Sequence, residues 1–279
     1  MNVLFLICGL LTVAVVLGIT LYVIISGLPA IREIGLWDFL LGKVWDSTAT
    51  TREPQFGILP FILTSIYGTF GAILIGVPIG LMTAVFLAKF ASRKVAEAVG
   101  TAVELLAGIP SVVYGLLGLT ILAPLVMRFF ELRTGSTLLT AIIVLSVMVL
   151  PSIISVSRTA LLAVPSEYEE ASYALGATKI ETIFKVSLPA AKSGIAASIV
   201  LGVGRAIGEA MAVMMVAGNI ARMPELLKSV RFLTTAISME MSYAAGLQRQ
   251  ALLSIALVLF AFIMVINIIL GLVLKRGKN

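Results

Sequence analysis

Two opposite charges lie inside one long apolar run and are the residues best suited to chemistry. The run LGVGRAIGEAMAVMMVAGN, residues 201–219, contains Arg205 and Glu209. Leaving either charge in hydrocarbon costs about 2.5 to 3.5 kcal/mol on insertion scales, so we expect both to face protein or water. The planar guanidinium of Arg205 matches the oxygens of a tetrahedral oxyanion. A nearby carboxylate would weaken that attraction enough for release.

The same two residues allow a structural interpretation. On one helix they lie a turn apart on the same face and could form an ion pair that locks a helix bundle. Arginine before glutamate is the weaker order for such a pair, which favours an Arg205 that is partly free. A further acid, Glu104, either neutralises Arg205, lines the same pathway, or hydrogen-bonds to a neighbouring helix. These alternatives stay open at the level of sequence.

Catalytic chemistry has little support in this chain. It has no histidine and one cysteine, Cys8, which leaves no disulfide framework and few metal ligands. A GxxxxGK[ST] phosphate loop is missing, and the glycines at 202, 204 and 208 lack the GxGxxG spacing. We therefore expect no metal, no cofactor and no ATPase site within the chain. The net charge of +6 does not predict nucleic-acid binding, because the basic residues stand mostly at the ends of apolar runs.

Composition places these residues in a membrane. Hydrophobic residues make up 60% of the chain, charged residues 12%, and the mean hydropathy is +1.13. At about 20 apolar residues per crossing, the sequence predicts an all-α polytopic protein with six transmembrane helices. The predicted spans are 3–25, 57–88, 99–127, 137–157, 191–218 and 251–274. We expect residues 1–56 to form an N-terminal helix with an external loop, and residues 57–279 to form a core of five helices.

The basic residues favour one orientation. An even number of spans puts both termini on the same side. Lys275, Arg276 and Lys278 crowd against the last span, and a very short loop between two spans holds three more basic residues, Lys89, Arg93 and Lys94. Under the positive-inside rule these segments are cytoplasmic. The sequence therefore predicts a multi-pass protein of the inner (plasma) membrane with both termini in the cytoplasm.

Small residues predict where helices pack. The second span carries one at every fourth position: Gly68, Ala72, Gly76, Gly80, Ala84 and Ala88. Such a stripe lets another helix approach closely, which matters in lipid, where association depends on close packing. Gly204 and Gly208 form a GxxxG pair in the fifth span. In the third span, Pro110 is expected to bend or open the helix.

A polar loop at about 158–192 interrupts the apolar spans. Ser166 with Glu169, and Thr178 with Glu181, have capping-box spacing, so the loop predicts two short helices separated by Gly176. Pro189 marks the return to the membrane. On the first helix, one apolar face is formed by Tyr168, Ala171 and Leu175. Pattern alone leaves two interpretations, an amphipathic loop at the lipid surface or a docking surface.

This loop resembles the cytoplasmic signature of ABC importer permeases. Glu170, Ala171 and Ser172 match its Glu-Ala-Ala triplet, and the later signature residues are matched by Gly176, Val186, Leu188 and Pro189. Serine and valine replace the family's alanine and isoleucine, with every spacing kept. The resemblance implies the type I permease fold and a coupling helix, residues 168–176, that contacts a separate ATP-binding subunit. Glu170 and Gly176 would be its most constrained positions.

Two further runs resemble the phosphate-uptake branch of these permeases: GRAIGEAMAVMMVAGN, and IPSVVYGLLGL at residues 109–119. That resemblance implies a related second permease, two ATP-binding subunits that bind the ATP, an external phosphate-binding protein and inorganic phosphate as the cargo. Arg205 and Glu209 would then line half of the pathway. Two alternatives are a permease for another oxyanion, such as molybdate or sulfate, and an ATP-independent transporter or channel.

Overall fold

A computed structural model describes residues 2–47 and 53–276. Residues 48–52 of the predicted external loop and Lys278 of the predicted cytoplasmic cluster lie outside the described residues. The helices are α1 (Asn2–Ile34), α2 (Leu36–Leu41), α3 (Leu59–Val85), α4 (Arg93–Gly108), α5 (Ser111–Leu117), α6 (Ala123–Phe129), α7 (Leu138–Leu162), α8 (Ser166–Ala174), α9 (Lys179–Thr182), α10 (Leu188–Ala190), α11 (Lys192–Gly208), α12 (Met211–Val216), α13 (Leu233–Glu240) and α14 (Gly246–Arg276). π-helical turns cover Phe86–Phe90, Gly118–Leu122 and Ile183–Ser187. Two short antiparallel strands, β1 (Trp45–Asp46) and β2 (Gln55–Phe56), pair Trp45 with Phe56.

Five helical segments are long and apolar enough to span a membrane, and a sixth span results if one bent pair is counted as one crossing. The five are Leu4–Ile34, Leu59–Phe90, Ser111–Phe129, Leu138–Leu162 and Gly246–Ile269. The bent pair joins Lys179–Ala190 to Lys192–Gly208 at 70°. The all-α polytopic fold predicted from the sequence is therefore confirmed.

The first predicted span, 3–25, is too short because α1 continues to Ile34, and two other predicted spans are interrupted. The span expected at 99–127 is divided, because α4 ends at Gly108, Ile109 is extended, and Pro110 starts α5. Proline disfavours a helical residue before it and brings no backbone N–H, so the chain breaks there and does not merely bend. The span expected at 191–218 also breaks, since α11 ends at Gly208 and α12 begins at Met211.

The core forms around α7, which packs against α3 along the small-residue stripe. At Gly68 of this stripe, an added Cβ would meet the ring of Phe232, which lies just before α13 and not on α7. At Gly76 it would meet Val149 Cγ2 at 2.7 Å, and at Gly80 Ile153 Cγ2 at 2.8 Å. The helices approach this closely only because these positions carry no side chain.

The segments broken by Pro110 and Glu209 pack against each other. A Cβ at Gly115 of α5 would meet Ala212 Cα of α12 at 2.8 Å, and one at Gly118 would meet Val216 Cγ1 at 2.7 Å. The runs 109–119 and 201–219, which are far apart in sequence, therefore share one interface. It also contains buried side chains of α7, such as Val144 and Leu145.

The N-terminal segment packs on the end of the chain. Gly27 lies against Leu253 and Leu257 of α14, and Ser254 Oγ donates a hydrogen bond to the Gly27 carbonyl. Near β1, the buried Glu240 accepts hydrogen bonds from Trp45 Nε1 and Arg231 Nη1. The division at residue 56 stays a prediction.

Candidate substrate pathway and coupling surface

Arg205 lies on a cavity of about 480 Å³ between α7, α11 and α14. Three polar side chains line it, those of Arg205 on α11, Ser152 on α7 and Asn267 on α14. The remaining lining is apolar. Among the described residues, no ion pair includes Arg205. The guanidinium is thus available beside two neutral hydrogen-bonding groups.

Glu209 does not form the helical pair with Arg205 that the sequence allowed. Its backbone is extended, with φ −71° and ψ 124°, so it leaves the helical register of α11. Its carboxylate accepts a hydrogen bond from the Ala212 amide at 3.0 Å and so caps α12. Thr234 Oγ1 donates to the Glu209 carbonyl at 2.9 Å. These contacts tie Glu209 to the break between the helices, away from the lining of the Arg205 cavity.

Gly204 and Gly208 have no close neighbour among the described residues. A Cβ at either position would meet nothing within 4 Å, whereas one at Gly202 would meet Ile153 at 3.2 Å. The close intrachain contact of α11 therefore lies at Gly202, and the predicted GxxxG pair lies on an open face. A packing role for Gly204 and Gly208 stays a prediction that needs another chain.

Glu104 is not in the lining of the Arg205 cavity, as one interpretation of the sequence required. It lines a smaller cavity of about 100 Å³, together with Ser155, Arg158 and Thr159. The reason is the break at Pro110, which puts Glu104 on α4, a helix that packs on α7 near its coupling-loop end. Arg158, which the sequence analysis did not single out, is the cation in this second cavity.

The polar loop has the predicted helix, glycine, helix form. Gly176 has φ +83°, its amide donates to Tyr173 O, and the Ala177 amide donates to Ser172 O. This is the Schellman pattern that a C-terminal glycine permits. The capping box of Thr178 and Glu181 is confirmed, with both reciprocal hydrogen bonds present.

The other predicted box, at Ser166 and Glu169, is wrong. The N-cap residue of α8 is Pro165, and no side chain caps the helix. Glu169 instead turns towards the membrane helices, where Lys89 forms an ion pair with it and Ser187 Oγ donates to it at 2.7 Å. Burial acts to raise the pKa of Glu169, but the hydrogen bonds from Lys89 and Ser187 and the charges of Lys89 and Lys179 outweigh it and lower the pKa. Glu169 therefore anchors α8.

The opposite face of the loop is uncovered and largely apolar. Leu175 is 91% exposed and Tyr168 is 55% exposed. Glu170, Ala171, Gly176 and Pro189 are also exposed. Ile180 and Phe184 extend this surface onto the following turns. We call the exposed side chains of residues 168–184 the coupling surface.

Sequence reasoning gave no site role to Ser152, Asn267 or Arg158, and it used Lys89 only as a topology signal. Asn267 was an available signal, since it is a polar residue in the middle of an apolar run. The site roles of Ser152, Arg158 and Lys89 gave no such signal, because each depends on residues of other helices that lie close only in the fold. Lys89, for example, pairs with a residue 80 positions away.

The fold is thus an all-α membrane bundle with an exposed loop between its spans. Residues 76–278 match the family described as binding-protein-dependent transport system inner membrane component, and the chain belongs to this family of ABC importer permeases. The probable ABC transporter permease YqgH of Bacillus subtilis is 39% identical over 93% of this chain and 86% of the relative. The phosphate transport system permease PstC of Pasteurella multocida is 34% identical over 93% and 88%. The resemblance to the phosphate-uptake branch is thus confirmed at the level of sequence.

Solved structures confirm the type I permease fold. A bacterial alginate ABC transporter, in complex with a periplasmic protein that carries an alginate pentasaccharide, aligns with a TM-score of 0.66 over 99% of this chain and 94% of that chain, at 16% identity. The MetNI methionine ABC transporter aligns with a TM-score of 0.60 over 80% and 95%, at 20% identity. At such low identity these structures show the fold and not the cargo.

Proposed function

We propose that this chain is a permease subunit of an ATP-driven phosphate importer and forms half of the translocation pathway. The observation that carries the proposal is the Arg205 cavity, which Ser152 and Asn267 also line and where Arg205 forms no ion pair among the described residues. A guanidinium with neutral hydrogen-bonding groups suits a tetrahedral oxyanion. Similarity to PstC over nearly the whole chain favours phosphate among such anions.

The geometry also supports binding of this chain to the proposed partner subunits. The coupling surface offers exposed apolar side chains to a separate ATP-binding subunit, two copies of which would serve the pair of permeases. The open face of α11 at Gly204 and Gly208 suits close approach of a second, related permease. An external phosphate-binding protein would deliver the ion on the side opposite to the coupling surface, and the coupling surface and both termini would be cytoplasmic.

In this mechanism the chain transmits the motion of the ATP-binding subunits to its membrane helices and does not itself hydrolyse ATP. Closure of the ATP-binding subunits pushes on α8, and the ion pair of Glu169 with Lys89 transmits the push to the end of the span Leu59–Phe90. Alternating access then exposes the Arg205 cavity to one side at a time. The Glu209 contacts hold the break between α11 and α12, which fixes the end of the helix that carries Arg205.

The test is phosphate uptake by the complete complex reconstituted in vesicles. Arg205→Gln removes a charge-assisted interaction of roughly 1.5 to 3 kcal/mol, so we expect uptake to fall at least about tenfold while the complex still assembles. The matched control is Arg93→Gln, which removes an arginine whose side chain is 92% exposed. Normal uptake by Arg205→Gln, or equal competition by sulfate and molybdate, would contradict the proposal.

A further inference from the structure

The second cavity is lined by a cationic side chain, that of Arg158, which forms no ion pair among the described residues. Arg158 Nε is buried and has no hydrogen bond to any residue that the structure describes. None of the ion pairs among the described residues includes Arg158, although Glu104 lines the same cavity. A buried donor on a charged group is costly to leave unpaired. A ligand with acceptor atoms would satisfy this donor.

The chain makes room for this guanidinium. A Cβ at Gly100 of α4 would lie 3.0 Å from Arg158 Nη1, so a larger residue there would crowd the arginine. The cavity measures about 100 Å³ and is therefore suited to a small anion and not to a bulky molecule. Ser155 and Thr159 also line its wall, where Thr159 Oγ1 donates a hydrogen bond to the Ser155 carbonyl at 2.9 Å and would have to turn to reach an anion.

One face of α7 joins this cavity to the Arg205 cavity. Ser152, Ser155 and Thr159 are spaced by three and four residues, so their hydroxyl groups lie on one side of the helix. Ser152 lines the Arg205 cavity, and the other two line the Arg158 cavity. From Ser152 to Arg158 the helix rises only about 9 Å, at 1.5 Å per residue. Ser155 and Thr159 are exposed in the single chain.

We infer that Arg158, with Ser155 and Thr159, forms a second phosphate-group site at the coupling-loop end of α7. Its role as the next binding position for a free phosphate ion after Arg205 rests on the proposed function. The same chemistry would also accept the phosphate of a lipid headgroup. Arg158 lies eight residues before Ser166, the first residue of α8. Motion of the coupling loop therefore acts close to this site.

The test measures occupancy and does not depend on transport. In a Cys8→Ser background, which removes the single cysteine of the chain, Leu162→Cys places a thiol on the cavity wall. The complete complex is reconstituted in phosphatidylcholine vesicles and treated with N-ethylmaleimide, and modification of this chain is followed by mass. Inorganic phosphate should slow the modification of Leu162→Cys, and Arg158→Gln should weaken that protection at least about tenfold in phosphate concentration. Tyr243→Cys, at an exposed residue outside the cavity, is the control that phosphate should not protect.

Two further experiments distinguish a free phosphate ion from a lipid headgroup as the occupant. Protection that persists with Arg205→Gln shows direct occupancy of the second site, even if the role of Arg205 in transport fails. Protection by phosphatidylglycerol without added phosphate, lost with Arg158→Gln, assigns the site to a lipid headgroup. Full protection in the Arg158→Gln variant, or no protection by phosphate or phosphatidylglycerol, would overturn the site.

Discussion

Adjacent acidic residues in α8 have different roles because of their tertiary neighbours. Glu169 is held by Lys89 and Ser187, whereas Glu170 is exposed and forms no ion pair among the described residues. The lowered pKa of Glu169 means that its charged form stabilises the folded state. That contribution is complete above the ordinary carboxyl pKa of 4.5 and is lost as the pH falls through the lowered value.

We predict that Glu169→Gln loosens the coupling loop, whereas Glu170→Gln does not. Loss of one charge-assisted contact at a partly buried site should cost roughly 1 kcal/mol, seen as faster hydrogen exchange across α8. After correction for the slower intrinsic exchange in acid, lowering the pH through the lowered pKa of Glu169 should reduce the protection of α8 more in the unmodified protein than in Glu169→Gln. Equal exchange in the two variants would show that the Lys89 contact does not hold the loop.

Individual elements differ in how far the sequence predicts them. The capping box of Thr178 and the turn at Gly176 rest on neighbouring residues, so their spacing was sufficient. The break at Glu209 combines a local hydrogen bond from the Ala212 amide with one from Thr234, which is 25 positions away, and the sequence pattern did not predict it. The division at Pro110 was visible in the sequence, but its extent depended on how α4 packs on α7.

The close contact of α3 with α7 can be tested by a substitution at Gly76. Gly76→Val should destabilise the protein by roughly 1 to 3 kcal/mol, because its first carbon would meet Val149 Cγ2 at 2.7 Å and the Ser146 carbonyl at 3.3 Å. Thermal inactivation of the purified complex measures the loss. Gly18→Val is the control, since a Cβ there meets nothing within 4 Å. Equal inactivation temperatures for the two variants would contradict the packing argument.

Across the whole molecule, the two cavities and the coupling surface follow the course of one helix. α7 carries Ser152 at the first cavity and Arg158 at the second, and it ends at Leu162, shortly before α8. The two proposed anion sites therefore lie along one helix that leads to the proposed docking surface. The sequence could indicate the charges and the loop separately, but only the fold shows that α7 connects them.

This arrangement predicts that a change on the coupling surface separates drive from binding. Leu175→Asp alters a side chain that is 91% exposed, so the chain itself should remain folded. Burying an aspartate against a partner in place of a leucine loses roughly 1.5 to 3 kcal/mol of apolar burial and adds a desolvation cost. We therefore expect the ATP-binding subunit to lose its affinity at least about tenfold and to be absent from the purified complex. Tyr243→Asp, at a residue that is 67% exposed and lies outside the coupling surface, should keep that subunit. If Leu175→Asp co-purifies with the ATP-binding subunit and retains phosphate-dependent ATP hydrolysis, residues 168–184 are not the docking surface.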